Sequence, residues 1–232
     1  MRSTCYSVDI DDDGEIHRSK VDQVPFGTDR YDCIGVRAAH VFGPDESADI
    51  VDDPTRADLA GSFDHDDEGV KARPVPLVEA GRLRCFLCNR EGGRLLGGEP
   101  GRGRRAGWNR PPVTRQSNLV IRPGKYLPEE LEGELEHAIV VTRIGGATVD
   151  PVSSRTVLRV ERGWEVRHGR RRRPLAPCEL TGGALEILAG IDSRVGSDPT
   201  ADWRLGWCVK DGVPLATGSE APTLLVEHLE IL

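Results

Sequence analysis

Between Asp66 and Leu83 the chain sets three carboxylates in a row, Asp66-Asp67-Glu68, closes them with Gly69, and follows with two short apolar runs split by Glu79-Ala80-Gly81. Acids that end at a glycine read as a turn, because Gly69 can take a positive φ where a side chain would clash. Two strand-like runs with a short polar connection read as a hairpin. On these residues alone the segment is a solvated acidic turn entering a β-hairpin. The same punctuation recurs throughout: 27 glycines and 16 prolines, against one methionine and few aromatics, favour many short strands and turns over long helices.

The remaining elements follow from the same signals. Residues 7–10 and the run from Glu15 read as an opening hairpin around Asp11-Asp12-Asp13-Gly14. That turn lacks the alternating oxygen ligands and closing glutamate of a calcium loop. Val51-Asp52-Asp53-Pro54-Thr55 reads as a strand end and turn. Residues 83–90 alternate in the strand manner, which sends the Cys85 and Cys88 sulfurs to opposite faces. No second CxxC or histidine pair completes a zinc site around them. Residues 92–110, rich in Gly and Arg, form a long loop that could cradle an anion, contact RNA, or simply connect. Residues 117–124 form a strand closed by Pro123-Gly124, and Pro128 starts a short helix with Glu129 and Glu130 in its first turn.

Strands are expected at 138–142 and 156–160, flanking Gly145-Gly146 and Asp150-Pro151. Arg170-Arg171-Arg172-Arg173, after His168-Gly169 and without interleaved aromatics, reads as a solvated turn rather than a phosphate patch. Residues 182–191 fit an amphipathic helix with Leu185, Leu188 and Ile191 inward. A strand and turn at 207–212 and a last strand at 223–226 close the chain. The expected fold is α+β: mainly antiparallel sheet, sandwich- or barrel-like, with two short helices.

At 232 residues the chain can bury a sizeable core, and 38% hydrophobic with 30% charged residues is a globular composition. The formal charge of −7 argues against a nucleic-acid partner. Neither a bilayer-length apolar run nor a basic-then-apolar start is present, so a cytoplasmic protein is expected and no membrane partner. The six cysteines are expected as thiols.

From about Val51 onward the ordered motifs resemble the C-terminal domain of the TldD/PmbA family, also called modulators of DNA gyrase and understood as metalloproteases. Asp52-Asp53-Pro54-Thr55 resembles its DDPT, and Asp66-Asp67-Glu68-Gly69-Val70 with Gly81 and Leu83 its DDEGV hairpin. Arg104-Arg105, Pro111-Pro112, Arg115 and Asn118 are similar to its arginine loop and PRxxN strand, which Pro123-Gly124 closes. Gly145-Gly146, Val149-Asp150-Pro151, Gly163, Pro174 and Gly182 recur in order. Cys208, Lys210-Asp211-Gly212, Gly218 and Pro222-Thr223-Leu224 resemble its CGKDGQ…G…PTL, with Val209 and Val213 in place of the Gly and Gln.

The resemblance implies a two-part layout: residues 1–47 as a short segment, a possible remnant of the family's N-terminal domain, and 48–232 as the C-terminal-like domain. It implies a metallopeptidase, in which zinc or another divalent metal activates a water against extended or unfolded peptides. It also implies a homo- or heterodimer with a TldD/PmbA-type subunit. In active members an HExxxH helix supplies two histidines and a general base, and the cysteine matching Cys208 is a further ligand. No HExxxH occurs here, and His17, His40, His65, His137, His168 and His228 are far apart in sequence. Cys208 therefore stands either as a metal ligand by resemblance or as a structural thiol. The catalytic residues and the identity of the peptide stay open. The alternatives to a peptidase are a non-catalytic, PmbA-like scaffold subunit and a truncated product without a role of its own.

Overall fold

The computed structural model describes residues 5–10, 16–21, 35–37, 48–150, 152–210, 212–227 and 229–232, with 5–37 and 200–205 as backbone only. In chain order the strands are β1 (Cys5–Ile10), β2 (Ile16–Val21), β3 (Gly35–Arg37), β4 (Ile50–Asp52), β5 (Val75–Glu79) and β6 (Arg82–Leu83). Helix α1 (Arg90–Leu96) follows, then β7 (Gly103–Arg104), β8 (Val113–Thr114), β9 (Asn118–Ile121) and α2 (Pro128–Gly133). The rest comprises β10 (His137–Val149), β11 (Arg155–Arg167), β12 (Arg170–Pro174), β13 (Cys178–Gly183), α3 (Ala184–Ala189), β14 (Thr200–Lys210), β15 (Val213–Ala221) and β16 (Glu230–Ile231).

These strands form four sheets among the described residues. A six-stranded sheet runs β14-β15-β9-β4-β5-β6, a five-stranded one runs β10-β11-β13-β16 with β12 also on β11, β2-β1-β3 make a third, and β7-β8 a fourth. Pairing is antiparallel except for β1 with β3 and β9 with β15. The α+β, mainly antiparallel expectation holds.

The hairpin at the organising stretch is present. Residues Ala80 (φ 48°) and Gly81 (φ 70°) make the two-residue turn between β5 and β6, a pairing of positive φ values that matches strand twist. Gly69 sits at φ 76°, as the turn after the acids requires. The opening hairpin is present as β1 and β2, whereas its Asp11-Asp12-Asp13-Gly14 turn lies outside the described residues.

Several elements differ from the sequence reading. Residues 85–88 are not a strand. They lead into α1, which begins at the end of the expected strand, runs into the expected loop and is capped by Asn89, whose side chain accepts from the Gly92 amide at 2.7 Å. Among the described residues the helices therefore number three. Gly145-Gly146 does not end a strand but lies within β10, where the register against β11 shifts between Val141 and Gly146; glycine suits such a bulge. The turn after β11 is His168-Gly169 alone, and the four arginines continue as β12, exposed throughout. Arg171 donates to Glu132 at 2.7 Å and Arg173 pairs with Glu165, so part of that charge is neutralised. Residues 223–225 are not a strand; Val226 makes an isolated bridge to Ile191, and β16 is the last strand.

Helix α3 carries the expected inward face. Leu185 and Leu188 pack against buried Ile50 and Val78 of the six-stranded sheet, while Ile191 joins Ala48 and Val195 in an adjoining cluster. Because α3 follows directly on β13, it ties the five-stranded sheet to the six-stranded one. Each aliphatic side chain that leaves water fully contributes about 1.5–3 kcal/mol, so this short helix matters through its face rather than its length.

Candidate functional site

Asp52 and Asn118, two of the residues that carry the family resemblance, sit in a buried polar frame completed by Arg102 and Ser117. Asp52, at the end of β4, is wholly buried and accepts from Arg102 Nε at 2.5 Å, from the Ser117 amide at 2.7 Å, and from Ser117 Oγ. Arg102 is equally buried and donates to the carbonyls of Asp52 (2.8 Å), Arg73 (2.9 Å) and Gly101 (2.8 Å). Two charges removed from water persist only when paired and hydrogen-bonded in this way. Asn118 accepts from the Gly61 amide at 2.8 Å and donates to the Asp53 carbonyl at 2.8 Å, fixing the DDPT turn to β9.

The acidic triplet is a clamp. Asp66 accepts from the amides of Glu68, Val70 and Gly103, Asp67 from the amide and Nε of Arg105, and Glu68 from the Arg90 amide that opens α1. The triplet thereby holds β7 and the start of α1 against the turn. What the sequence presents as a solvated acidic turn uses its carboxylates on backbone N–H groups of the turn itself, of the start of α1 and of the arginine segment.

The arginine segment in turn braces the β14–β15 hairpin. Arg115, only 4% exposed, donates from Nη1 to the carbonyls of Cys208 (2.7 Å) and Val213 (3.0 Å), and from Nη2 to Lys210 (3.4 Å). Its Nε is buried without a hydrogen-bond partner among the described residues. Arg104 donates to the carbonyls of Gln116 and Ala216 and lies over the Phe63 ring at 5.4 Å. Burial pulls the Arg104 guanidinium below its ordinary pKa, and the charges of Asp52, Cys208 and Asp67 oppose that shift.

The hairpin closes a cavity of about 130 Å³ between the arginine segment and its own tip, lined by Arg105, Ala106, Arg110, Pro111, Val113, Arg115, Lys210 and Val213. Strand β14 is the outer strand of its sheet. Strand alternation puts Cys208 and Lys210 on one face and Trp207 and Val209, 56% and 60% exposed, on the other. Asp211 lies outside the described residues.

Cys208 is half-buried and in no disulfide. Of the histidines, His65 is exposed beside the acidic clamp, His168 lies 2.7 Å from Glu136, and His137 lies 3.5 Å from Glu165 on the five-stranded sheet. The side chains of His17, His40 and His228 are outside the described residues. Among the described residues, no three His, Cys, Asp or Glu side chains come together to hold a metal ion, so Cys208 alone does not make a metal site there. The CxxC does not make one either. Cys88 is buried, and Cys85 donates to the Pro76 carbonyl at 2.7 Å, its thiol pushed up by burial first and by Glu99 and Glu79 next.

The family described as "PmbA/TldA metallopeptidase C-terminal domain" matches residues 44–232, and the chain belongs to this TldD/PmbA family. It is 30% identical over 187 residues to a metalloprotease TldD homolog of Buchnera aphidicola (Schizaphis graminum), covering 80% of this chain and 38% of that protein. It is 33% identical over 177 residues to a metalloprotease of Archaeoglobus fulgidus, covering 75% and 40%. The chain thus spans about two fifths of the length of the curated relatives it matches.

Among solved structures, a Thermotoga maritima protein described as a candidate modulator of a DNA gyrase superposes with a TM-score of 0.66 at 28% identity, covering 83% of this chain and 40% of that one. TldE from Thermococcus kodakarensis gives 0.66 at 20% identity, covering 84% and 41%, a likeness of fold. No helix among the described residues is long and apolar enough to cross a membrane.

Proposed function

We propose that the chain is the substrate-binding, thiol-bearing part of a TldD-type metallopeptidase that acts on extended or unfolded peptides. The observation that carries this reading is the position of Cys208 on β14, the free outer strand of the six-stranded sheet, with its carbonyl clamped by Arg115. A free strand edge offers unpaired N–H and C=O groups with which an extended peptide pairs largely regardless of its side chains. The names of the relatives, metalloprotease and TldD homolog, support the same class.

Zinc or another divalent metal would then be held by Cys208 together with ligands from outside the described residues or from a partner subunit of TldD/PmbA type. A cytoplasmic setting, where thiols stay reduced, accords with Cys85, Cys88, Cys178 and Cys208 as thiols outside any disulfide. A second reading, a non-catalytic scaffold subunit of a TldD-type heterodimer, draws on the lack of any three-ligand cluster among the described residues.

Elemental analysis of the purified protein beside a Cys208→Ala variant separates the two. Near-stoichiometric zinc or iron that disappears in the variant supports the peptidase reading. No metal in either protein, with stable association to a full-length TldD-type subunit, refutes the stand-alone peptidase in favour of the scaffold.

A further inference from the structure

The cavity at the tip of the β14–β15 hairpin has a chemistry that the peptidase reading leaves unused. Four cations line it, Arg105, Arg110, Arg115 and Lys210, and no carboxylate does among the described residues. This concentration occurs in a chain whose formal charge is −7. Arg105 is partly neutralised by Asp67 at 3.1 Å, whereas the hydrogen-bond acceptors of Arg115 among the described residues are carbonyls. Like charges gathered in one concavity repel one another, and the arrangement is relieved when an anion enters.

Arg115 adds an observation of a different kind. It is almost wholly buried, it lines the cavity, and its Nε finds no acceptor among the described residues. A buried guanidinium N–H without an acceptor carries a desolvation cost that a ligand oxygen would remove. Ala106, Pro111, Val113 and Val213 give the cavity an apolar wall beside its cations.

We infer that this cavity binds the terminal carboxylate of an extended peptide, an inference that rests on the peptide-binding reading above. The placement argues for a terminus: Lys210 ends β14 and Val213 opens β15, so a peptide paired along β14 has one of its ends at the cavity. Cys208 lies two residues back along the same strand and on the same face as Lys210, about 7 Å away at the usual strand rise. The substrate class is therefore peptides with a free C-terminus, held by guanidinium and ammonium groups while the backbone pairs with the strand edge.

The test measures binding of the whole chain to two peptides that carry an N-terminal fluorophore and differ only in a C-terminal acid or amide. An Arg110→Ala, Lys210→Ala double variant is run in parallel. Arg115 is left intact because it braces the hairpin, and Arg110→Gln, at an exposed position, serves as a second variant whose folding is not at issue. Loss of a charge-assisted contact predicts that the acid binds at least about 10-fold tighter than the amide, and that both variants reduce this preference.

Equal binding of acid and amide overturns the carboxylate inference while leaving the peptide reading intact. If neither peptide binds but inorganic phosphate does, and the variants lose it, the cavity belongs to a phosphorylated ligand and the carboxylate assignment is overturned together with the peptide reading. Absence of binding by all three probes overturns both.

Discussion

Replacing Asp52 by Asn tests whether the polar frame beneath the site is a structural keystone. Both carboxylate oxygens of Asp52 accept: Oδ1 from Arg102 Nε and Ser117 Oγ, Oδ2 from the Ser117 amide. Whichever oxygen becomes an NH₂ group therefore faces a donor, and Arg102 is left buried without a counter-charge. Breaking a buried pair from one side costs about 3–5 kcal/mol, a large share of the ~5–15 kcal/mol that holds a domain together.

At a urea slope of about 3 kcal/mol/M, suited to a chain of this size, the unfolding midpoint of Asp52→Asn falls by roughly 1–1.7 M. Tryptophan fluorescence and far-UV circular dichroism across a urea titration read that shift. Arg102→Met strands the carboxylate instead and destabilises to a similar degree. Combining the two changes removes both charges, and the double variant is more stable than the sum of the singles implies, by roughly 0.5–3 kcal/mol. An Asp52→Asn midpoint equivalent to less than about 0.5 kcal/mol of destabilisation, the scale of a surface change, would refute the reasoning.

Glu165 provides a pH signature. Hydrogen bonds from Arg167 and Arg173 hold its carboxyl at about 2, below the usual carboxylate range. A depressed folded-state pKa means that its stabilisation is complete above the unfolded value near ~4.3 and fades as pH falls toward 2. The melting temperature of Glu165→Gln consequently falls less between pH 4.5 and pH 2 than that of the parent, and parallel slopes in differential scanning fluorimetry would count against the assignment. Gly61→Ala tests the close approach of the DDPT turn to β9. A Cβ there would lie 2.2 Å from the Ser117 carbonyl and 2.7 Å from Asn118 Oδ1, both fixed, so a loss of about 1–3 kcal/mol is expected from overpacking. A neutral Gly61→Ala in the same urea titration would mean that the turn has room to shift.

Local chemistry was legible where it decides structure locally. The β5–β6 hairpin, α2 behind Pro128 and the inward face of α3 follow from turn residues, a proline at the first helical position and periodicity. Helix α1 escaped because Gly92 and Gly93 weaken helix propensity. Its signal was Asn89, an N-cap residue placed three before the glycine amide it caps. Residues 223–226 have strand composition, yet whether they pair depends on partners elsewhere in the chain, and it is residues 230–231 that reach β13. The family was legible because several of its motif residues belong to the buried scaffold, Asp52, Arg115 and Asn118, where each residue type is tightly specified. The cavity was not, because its wall joins residues 105–115 to Lys210 and Val213, which only the completed sheet brings together.

The parallel pairing of β9 with β15 joins Asn118 to Gly218, so the middle of the six-stranded sheet is completed across about a hundred intervening residues. Those residues include β10 to β13, whose neighbours in the sheet are mostly neighbours along the chain. Loop-closure entropy favours that inner sheet first, with the outer one waiting. During synthesis at about 5–20 residues per second, the β9 edge stands open for roughly 5–20 seconds before β15 arrives. The strand that finally covers it carries the hairpin of Cys208 and Lys210, so the site comes into being only with the closing of the sheet, and a nascent chain without its last strands holds the arginine segment but nothing for it to clasp.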